Sequence, residues 1–424
     1  MTDTDARSET ETQIAADQRE NLLLLAFFQV TLRIGWIFKT ESVIMPAVLD
    51  YLGGGGMIRG WLPLANRLCQ SIPTVIAAAG ISRAPSKKQL LFFTTSAMSL
   101  CFGSLFVAFS IFRESSWRLQ GIFIAVYSIF FVATGLNQVV FGTIQGKLIP
   151  PERRGQLLLI SNLVGVCLSV GAAAILIPRW VSADYAQFEW LFATSAIAFA
   201  LAGGIILLVR EPRDLPAADF KMRSLRERWS DAIAPFSKDA NFRRLSLVAA
   251  MFGATIILFP HYQALGRDGQ IGGDYRSLLV WLAIQNAGTA IFSMIVGPLA
   301  DRCGNLLALR FALSGVTLAP LLAVAICKLE HQWAYPVVFA FVGLTPVVIR
   351  LLMNYTLEVS EKPEHPGYLA AISLVTGLPV LFSPFAGGLV DEFGFVPMFI
   401  GIGCCGVVGV AMTALLEEPR KRQS

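Results

Sequence analysis

Long apolar runs alternate with short polar segments along nearly the whole chain. Each run has roughly the 20 residues that an α-helix needs to cross the core of a bilayer. No alternating apolar and polar pattern indicates strands instead. The runs lie near residues 22–50, 60–80, 89–112, 118–146, 155–177, 187–209, 243–263, 277–299, 305–327, 334–357, 367–388 and 395–416. We therefore predict an all-α, polytopic membrane protein with about twelve transmembrane helices.

The composition supports the same class. Hydrophobic residues make up 55% of the chain and charged residues only 15%, whereas soluble domains carry about 25% charged residues. The first twenty residues are polar and acidic, so we expect a disordered cytoplasmic tail, with room for a short helix near its end, and no cleaved signal peptide. The seven cysteines lie mostly in apolar runs without a CxxC pair. We therefore expect no disulfide framework, no metal site and no cofactor.

The distribution of charge predicts the orientation in the membrane. The net charge is +5, and most Lys and Arg residues lie in short loops between apolar runs. If both termini are cytoplasmic, 22 Lys and Arg residues fall on the inner side and 7 on the outer side. Cytoplasmic loops of membrane proteins carry an excess of Lys and Arg, so this distribution supports cytoplasmic termini. We expect a monomer in the cell membrane with both termini inside, and no nucleic-acid partner.

A polar stretch from Glu211 to Asn241 divides the chain into halves. The predicted regions are an N-terminal tail at 1–21, a six-helix bundle at 22–210, a linker at 211–241, a second bundle at 242–416 and a tail at 417–424. Within the linker, Leu225, Trp229 and Ile233 repeat every four residues. This spacing predicts a basic amphipathic helix on the inner membrane surface. A merely solvated linker is the alternative.

The two halves share an internal repeat. PERRGQLLLISNLVG begins at Pro151, and PEHPGYLAAISLVTG begins at Pro363, half the chain later. Each copy begins the fifth predicted helix of its half. The sixth predicted helices also end alike, with Glu-Pro-Arg beginning at Glu211 and at Glu418. Chance similarity of apolar helices does not account for aligned Pro, Glu, Gly and Ser residues, so we infer a duplication.

Two parallel six-helix repeats joined by a cytoplasmic linker resemble the major facilitator superfamily. The resemblance extends to Gly297–Gly304, which reads GPLADRCG and is similar to that family's G-x-L-x-D-R-x-G signature. The segment lies between the second and third helices of its half, as in the family. In the equivalent loop of the first half, Ser82 replaces the acid and Pro85 replaces the glycine.

The resemblance implies transport of a small-molecule solute by alternating access. It also implies that Asp301 belongs to a cytoplasmic gate whose partner lies near Arg154 and Gly155, or near Gly367. The predicted gate residues are Gly297, Asp301, Arg302, Gly304, Arg83 and Arg154. The alternative is a turn whose basic residues follow the positive-inside rule and have no gating role.

Charged and polar residues within the apolar runs are candidates for a transport site. A buried ion costs several kcal/mol unless it is paired or reaches water, so such residues tend to face a cavity. The predicted substrate-binding or coupling residues are Arg33, Lys39, Glu41, Arg67, Gln70, Asn137, Gln285, Asn286, Arg350 and Asn354. For each neutral residue alone, an interhelical hydrogen bond is the alternative. The excess of cations favours an anionic or zwitterionic substrate.

Glu41 is the clearest acid in this set. Helical geometry places Lys39 about 160° away from Glu41, so both face one cavity only if the helix is broken. Glu41 and Arg67 lie at similar depths, which makes an ion pair geometrically possible. We expect either a carboxylate that couples protons to transport or a structural ion pair.

Two other classes of function stay open. A transporter-like sensor or accessory protein without transport activity is favoured by the altered loop at Ser82. A membrane-embedded enzyme comes third, because the sequence has no HExxH motif, no clustered His and no Gly-rich phosphate loop.

Overall fold

The computed structural model describes residues 3–112, 117–181, 186–212, 233–267, 277–361 and 364–418. These residues are almost entirely helical, apart from turns and an isolated bridge between Val181 and Ala186. Within this part of the chain, eleven helices are long and apolar enough to cross a membrane. The predicted all-α, polytopic class is confirmed.

The first half of the chain forms eight helical segments. They are α1 (Asp3–Ile37), α2 (Ile44–Tyr51), α3 (Gly56–Arg59), α4 (Trp61–Arg83), α5 (Lys87–Ile111), α6 (Trp117–Leu148), α7 (Pro151–Trp180) and α8 (Phe188–Ile206). The second half forms α9 (Ala240–Ile256), α10 (Phe259–Arg267), α11 (Ser277–Cys303), α12 (Asn305–Lys328), α13 (Pro336–Val342), α14 (Thr345–Val359), α15 (His365–Gly377), α16 (Ser383–Phe393) and α17 (Phe395–Met412).

Helix α4 occupies the place of the second predicted span but is not among the eleven apolar helices. It is 23 residues long, which is enough to cross a bilayer. Its polar residues Asn66, Arg67 and Gln70 lower its hydrophobicity. The twelfth predicted crossing is therefore a helix of sufficient length with a polar central part.

The N-terminal tail differs from the expectation. Helix α1 begins at Asp3, where the sequence analysis predicts a disordered tail up to residue 21. The segment contains no Gly or Pro and is rich in Ala, Glu, Gln and Arg, which are good helix formers. Acidic residues near the first turn also favour a helix through its dipole. Polarity argues against membrane insertion here, but it does not argue against a helix.

Four of the predicted membrane helices are interrupted, and a proline follows each interruption. Pro46 lies in the first turn of α2, Pro260 in that of α10, Pro346 in that of α14 and Pro384 in that of α16. A proline lacks the N–H that an interior helix position needs, but the first turn requires no such donor. The chain therefore restarts a helix around each proline. The predicted apolar runs continue through these prolines, and only the angular separation of Lys39 and Glu41 raises a break, in the first run.

The chain packs as two compact units. Unit 1 comprises Met1–Thr40 and Leu68–Lys221, and unit 2 comprises Glu41–Arg67 and Met222–Ser424. The packing does not follow chain order, because α2 packs against α10 and α3 packs against α16 within unit 2. The sequence places the segment 41–67 in the first repeat, whereas its contacts place it with the second half.

Unit 1 has an aromatic core between α5, α6 and α8. Phe102 meets Phe130 edge-to-face with ring centroids 4.9 Å apart, and Phe109 meets Phe192 at the same distance. Edge-to-face pairs contribute about 0.5–1.5 kcal/mol beyond the area they bury. Because lipid is as apolar as these side chains, such specific packing has to hold helices together in a membrane.

Unit 2 has an aliphatic core between α9, α12, α14 and α15. Its fully buried residues include Phe252, Leu313 and Val348. Glycines bring α17 close to its neighbours, since a Cβ on Gly406 would lie 2.7 Å from the Thr317 hydroxyl oxygen. Small residues at such crossings are typical of membrane helix packing.

Candidate functional site

The first apolar run of the sequence, residues 22–50, is not one continuous helix. Helix α1 ends at Ile37 and α2 begins at Ile44, and the residues between them are not helical. Non-helical backbone at membrane depth is tolerated only where protein or a water-filled cavity satisfies its polar groups. Interrupted helices of this kind often form the binding sites of transporters. Lys39 and Glu41 lie in this interruption. The break that would be needed for both to face one cavity is present, but Lys39 packs in unit 1 and Glu41 in unit 2.

A cavity of about 170 Å³ in unit 1 is lined by Gln29, Arg33, Phe141, Leu157, Ser161 and Asn162. Nη2 of Arg33 donates a hydrogen bond of 2.7 Å to Oδ1 of Asn162. The Ser161 hydroxyl donates to the Leu157 carbonyl on its own helix. The cavity combines a cation and amide groups with an apolar wall, which is a common composition of small-molecule sites.

Gly165 fixes the path of the Arg33 side chain. A Cβ at this position would lie 2.9 Å from Cδ of Arg33, so the stem of the arginine lies across the bare backbone of α7. Gly165 belongs to the repeated segment that begins at Pro151. The repeat therefore contributes Ser161 and Gly165 to the surroundings of Arg33.

Lys39 lies outside this cavity, against the aromatic core of unit 1. Its side chain is buried, and its ammonium lies 5.2 Å from the ring centroids of both Phe130 and Phe131 and 5.5 Å from that of Trp36. A cation over an aromatic face gains about 0.5–2 kcal/mol, and most when it is desolvated. The Tyr127 hydroxyl donates to the Lys39 carbonyl at 3.3 Å. The rings thus offset part of the cost of burying this cation.

Glu41 and Arg67 lie close together in unit 2. The Asn66 amide donates a hydrogen bond to the Glu41 carboxylate, and Arg67 is within electrostatic range of the same carboxylate. Arg67 also lines a cavity of about 20 Å³ beside Ser373 and Thr376, which has room for about one water molecule. Ser373 is the repeat counterpart of Ser161, so each unit places an arginine beside the same repeated serine.

Gln285 contacts the end of the interruption in unit 2, because the Ser42 hydroxyl donates to its Oε1 at 2.6 Å. Asn286 instead donates to the Leu282 carbonyl of its own helix. Arg350 and Asn354 are exposed one turn apart on α14.

Two predicted site residues, Asn137 and Gln70, lie at contacts between helices of unit 1. Asn137 is buried and donates to the hydroxyls of Thr94 at 3.0 Å and Thr95 at 2.8 Å. This geometry matches the alternative of an interhelical hydrogen bond. Gln70 lies where α4 meets α6, since a Cβ on Gly135 would come within 2.4 Å of the Gln70 carbonyl oxygen.

The predicted gate loop of the second half is shaped by a carboxylate from the far end of the chain. Asp301 is exposed in the last turn of α11, and the next helix begins after Gly304 with φ +94°. Glu418 accepts a hydrogen bond of 3.3 Å from the Leu306 N–H. A Cβ on Gly304 would lie 2.7 Å from this carboxylate. Gly297 and Arg302 are exposed nearby, whereas the side chains of Arg83 and Arg154 lie outside the described residues.

The equivalent corner of the first half is anchored by Glu211. Its carboxylate accepts from the backbone N–H groups of Lys87 at 3.0 Å and Lys88 at 2.7 Å, from the Ser86 hydroxyl, and from Nζ of Lys147 at 2.9 Å. Burial alone would raise the pKa of Glu211, but these hydrogen bonds outweigh it and hold the pKa below its usual value. The repeated Glu-Pro-Arg motif thus places a carboxylate at the start of the third membrane helix in both halves.

A second repeated contact joins the start and end of each half. Asn21 donates from Nδ2 to the Arg210 carbonyl and accepts from the Arg210 N–H, both at 2.9 Å. Asn241 accepts from the Glu417 N–H at 3.1 Å. The sequence shows the Glu-Pro-Arg repeat but not its role. The available signal for this contact is Asn241, which in the sequence marks only the end of the linker.

Comparison with known proteins gives a family match over part of the chain. The sequence model of the Major Facilitator Superfamily matches residues 269–424. The Mycobacterium tuberculosis protein Rv2209 and the Mycobacterium bovis protein Mb2232, both uncharacterized, are 24% identical to this chain over 329 residues. The match covers 74% of this chain but 59% of each relative, so the chain spans less than two thirds of their length.

The fold is similar to solved transporters along nearly the whole chain. The nucleoside transporter NupG superposes with a TM-score of 0.69 at 12% identity, covering 94% of this chain and 98% of its own. A POT family transporter in complex with 5-aminolevulinic acid gives 0.67 at 12% identity, covering 93% and 94%. A bacterial homolog of the human lysosomal transporter Spinster, inward-facing and unoccupied, gives 0.59 at 14% identity, covering 94% and 95%. The resemblance to the major facilitator superfamily and its polytopic fold are confirmed.

Proposed function

We propose that this protein is a secondary transporter that works by alternating access. The premise is the fold of the chain and its partial sequence match to the major facilitator superfamily. The interruption of the first membrane helix carries the proposal. It places Lys39 and Glu41 on non-helical backbone within the span, as transporter binding sites do. In the proposed orientation, both termini and the linker at 211–241 are cytoplasmic.

The chemistry of the polar groups favours a small anionic or zwitterionic solute. Arg33 offers a guanidinium beside the amides of Gln29 and Asn162, and a guanidinium matches a carboxylate or phosphate in geometry as well as charge. The wall at Phe141 suits an apolar portion of the solute. Small zwitterions and dipeptides head the substrate list, followed by nucleosides, because the related folds include a peptide-type transporter and a nucleoside transporter.

Glu41 is the proposed coupling carboxylate. In this structure Asn66 donates to its carboxylate, and Arg67 lies within electrostatic range of it. If transport separates these groups, the carboxylate loses both partners, and this loss would be the step that couples a proton to transport. A permanent contact would instead make Glu41 structural. If Glu41 is the coupling carboxylate, Glu41→Gln should retain solute exchange but lose accumulation driven by an imposed pH gradient.

Asp301 remains the proposed gate acid on the cytoplasmic side. Asp301→Asn keeps the shape of the side chain and removes its charge, so we expect slower transport at a normal protein level. Unchanged transport by a well-folded Asp301→Asn variant would remove the gate role.

Uptake by reconstituted vesicles tests the function. Purified protein would be screened with 5-aminolevulinic acid, dipeptides, nucleosides and small organic acids, with and without a pH gradient. For a transported solute, Arg33→Gln should reduce uptake by at least tenfold. Gly165→Ala should reduce it less, because it displaces the Arg33 stem without removing the charge.

Arg118→Gln is the matched control, since Arg118 is exposed on α6 away from this cavity. Its uptake should equal that of the wild type. Solute binding without any uptake would favour the sensor or accessory protein. Full uptake by Arg33→Gln would exclude the Arg33 cavity as the binding site.

A further inference from the structure

A buried charged cluster lies in unit 2, away from the Glu41 group. Asp50 at the end of α2 contacts two arginines, with Nη1 of Arg59 at 3.0 Å and Nη1 of Arg267 at 3.8 Å. The three residues come from α2, α3 and α10. They therefore tie the segment 41–67 to the second half of the chain.

His261 lies on α10, six residues before Arg267. Its side chain is 0% exposed, and neither ring nitrogen has a hydrogen-bond partner in the described part of the chain. Arg59 lies within electrostatic range of the ring. A buried polar group without a partner costs free energy. An imidazolium here would cost more, because it would be a further buried cation beside an arginine.

A fourth charged residue, Asp391 on α16, contacts the same segment of the chain. The Asp391 carboxylate accepts hydrogen bonds from the backbone N–H groups of Gly56 and Met57, the latter at 3.0 Å. Gly56 and Gly387 bring α3 and α16 into backbone contact. Asp50, Arg59, Arg267 and Asp391 make the contacts given above, and Glu392 is a further charged group, exposed on α16. We refer to the first four with His261 as the outer cluster.

We propose that His261 is a proton-binding site that makes closure of the outer cluster depend on external pH. The orientation rests on the proposed function, which places the cluster at the outer surface. In the closed arrangement the ring is neutral and dry, beside Arg59. When the cluster opens, water reaches the ring and it takes up a proton. The proton must leave before the cluster closes again, so acid outside favours the open arrangement.

Linkage gives the size of the effect. An imidazole in water titrates near pH 6.5. If only the open arrangement binds the proton, lowering the pH from 7.5 to 5.5 raises the open population about tenfold. The Asp50 and Asp391 carboxylates face the same region. A variant that removes only the imidazole is therefore needed to assign the response to His261.

Hydrogen exchange measures this without a known substrate. The N–H groups of Gly56 and Met57 exchange only when their bonds to Asp391 open, so the peptide containing them reports the closure. In purified protein at pH 5.5 and 7.5, exchange corrected for its intrinsic pH dependence should rise about tenfold on acidification. His261→Gln, which retains polarity but does not titrate, should show equal exchange at both pH values.

Asp391→Asn serves as the control, because it should raise exchange at both pH values and keep the pH response. His261→Asn provides a second variant if the first does not fold. A wild-type pH response in either His261 variant, or no response in the wild type, would overturn the proposal. A protein that transports nothing would still give this exchange result, so the two proposals fail separately. Labelling of Met57→Cys from outside intact cells, with the native cysteines replaced, tests the orientation.

Discussion

The two corners held by Glu211 and Glu418 occupy equivalent places in the repeat but differ in strength. The Glu211 side chain is 1% exposed and takes four donors from two segments, the start of α5 and the end of α6. Glu418 accepts from Leu306 alone among the described donors, and its Oε1 is buried without a hydrogen-bond partner there. The first corner is an anchor, whereas the second is a looser contact next to the predicted gate.

This difference changes the meaning of the altered loop in the first half. The loop lacks the acid and the glycine of the family signature, with Ser82 and Pro85 in their places. Its helix start instead receives the Ser86 cap and the Glu211 carboxylate. The second half retains Gly304, whose φ of +94° suits glycine. A degenerate motif therefore need not signal lost transport, because a different set of contacts holds the same corner.

The largest expected effect is that of Glu211→Gln. The change removes the charge that Lys147 and two helix N–H groups contact, and it leaves the lysine partly buried without its acid. Charge-assisted hydrogen bonds contribute about 1.5–3 kcal/mol each, so we expect a loss of about 3 kcal/mol in folding free energy. Thermal melting of the detergent-solubilised protein would show it. A melting temperature equal to the wild type would contradict the role of an anchor.

Gly304→Ala should have the next largest effect. A residue with a Cβ is strained by about 1–3 kcal/mol at such a positive φ, and the new methyl would also meet the Glu418 carboxylate. The same melting experiment applies, with Gly297→Ala as control because a Cβ there meets nothing within 4 Å. Combining Gly304→Ala with Glu418→Ala should recover only the part due to the clash. Full recovery would show that backbone strain contributes nothing.

Glu418→Gln should cost the least of the three, about 0.5–1 kcal/mol, because one long hydrogen bond is at stake. The informative quantity is the difference between the losses of folding free energy in Glu418→Gln and Glu211→Gln, measured in parallel. Equal losses in the two variants would show that the corners are equivalent after all.

Acid should weaken the first corner in the wild type only. The pKa of Glu211 is below its ordinary value of 4.5 in the folded protein. The stability from its ionised form is therefore present above pH 4.5 and is lost as the pH falls through the folded pKa. The difference in melting temperature between wild type and Glu211→Gln should shrink as the pH is lowered from 5 towards 3. A difference that stays constant would contradict the lowered pKa.

The sequence predicted the fold class because hydrophobic run length is dictated by the bilayer. Hydrophobicity does not predict the interruptions, because Pro46 and Pro260 leave their runs apolar. Only the angular separation of Lys39 and Glu41 indicates a possible break, in the first run. The tail from Asp3 is polar, and polarity alone does not distinguish a helix from a disordered segment.

The candidate site was predictable only as a set of residue types. Arg33 and Glu41 were identified because charges are costly in apolar helices. The contacts of Lys39 with Phe130 and Phe131 depend on packing between helices far apart in sequence. The same holds for Asn137 with Thr94 and Thr95. Helical periodicity places residues on a face but does not determine which helix that face meets.

The assignment of 41–67 to unit 2 has a consequence for synthesis on the ribosome. This segment emerges before residue 221, whereas its packing partners on α9 to α17 emerge only afterwards. Unit 1 has all its helices available early, so it is able to condense first. Three charged residues of this segment are made long before the second half that packs against it: Glu41, Arg59 and Arg67. They lack these later neighbours until a loop of well over 150 residues closes. Since closure entropy rises only slowly with length, the delay is mainly one of time. The insertion machinery or a chaperone would have to shield these charges in the meantime.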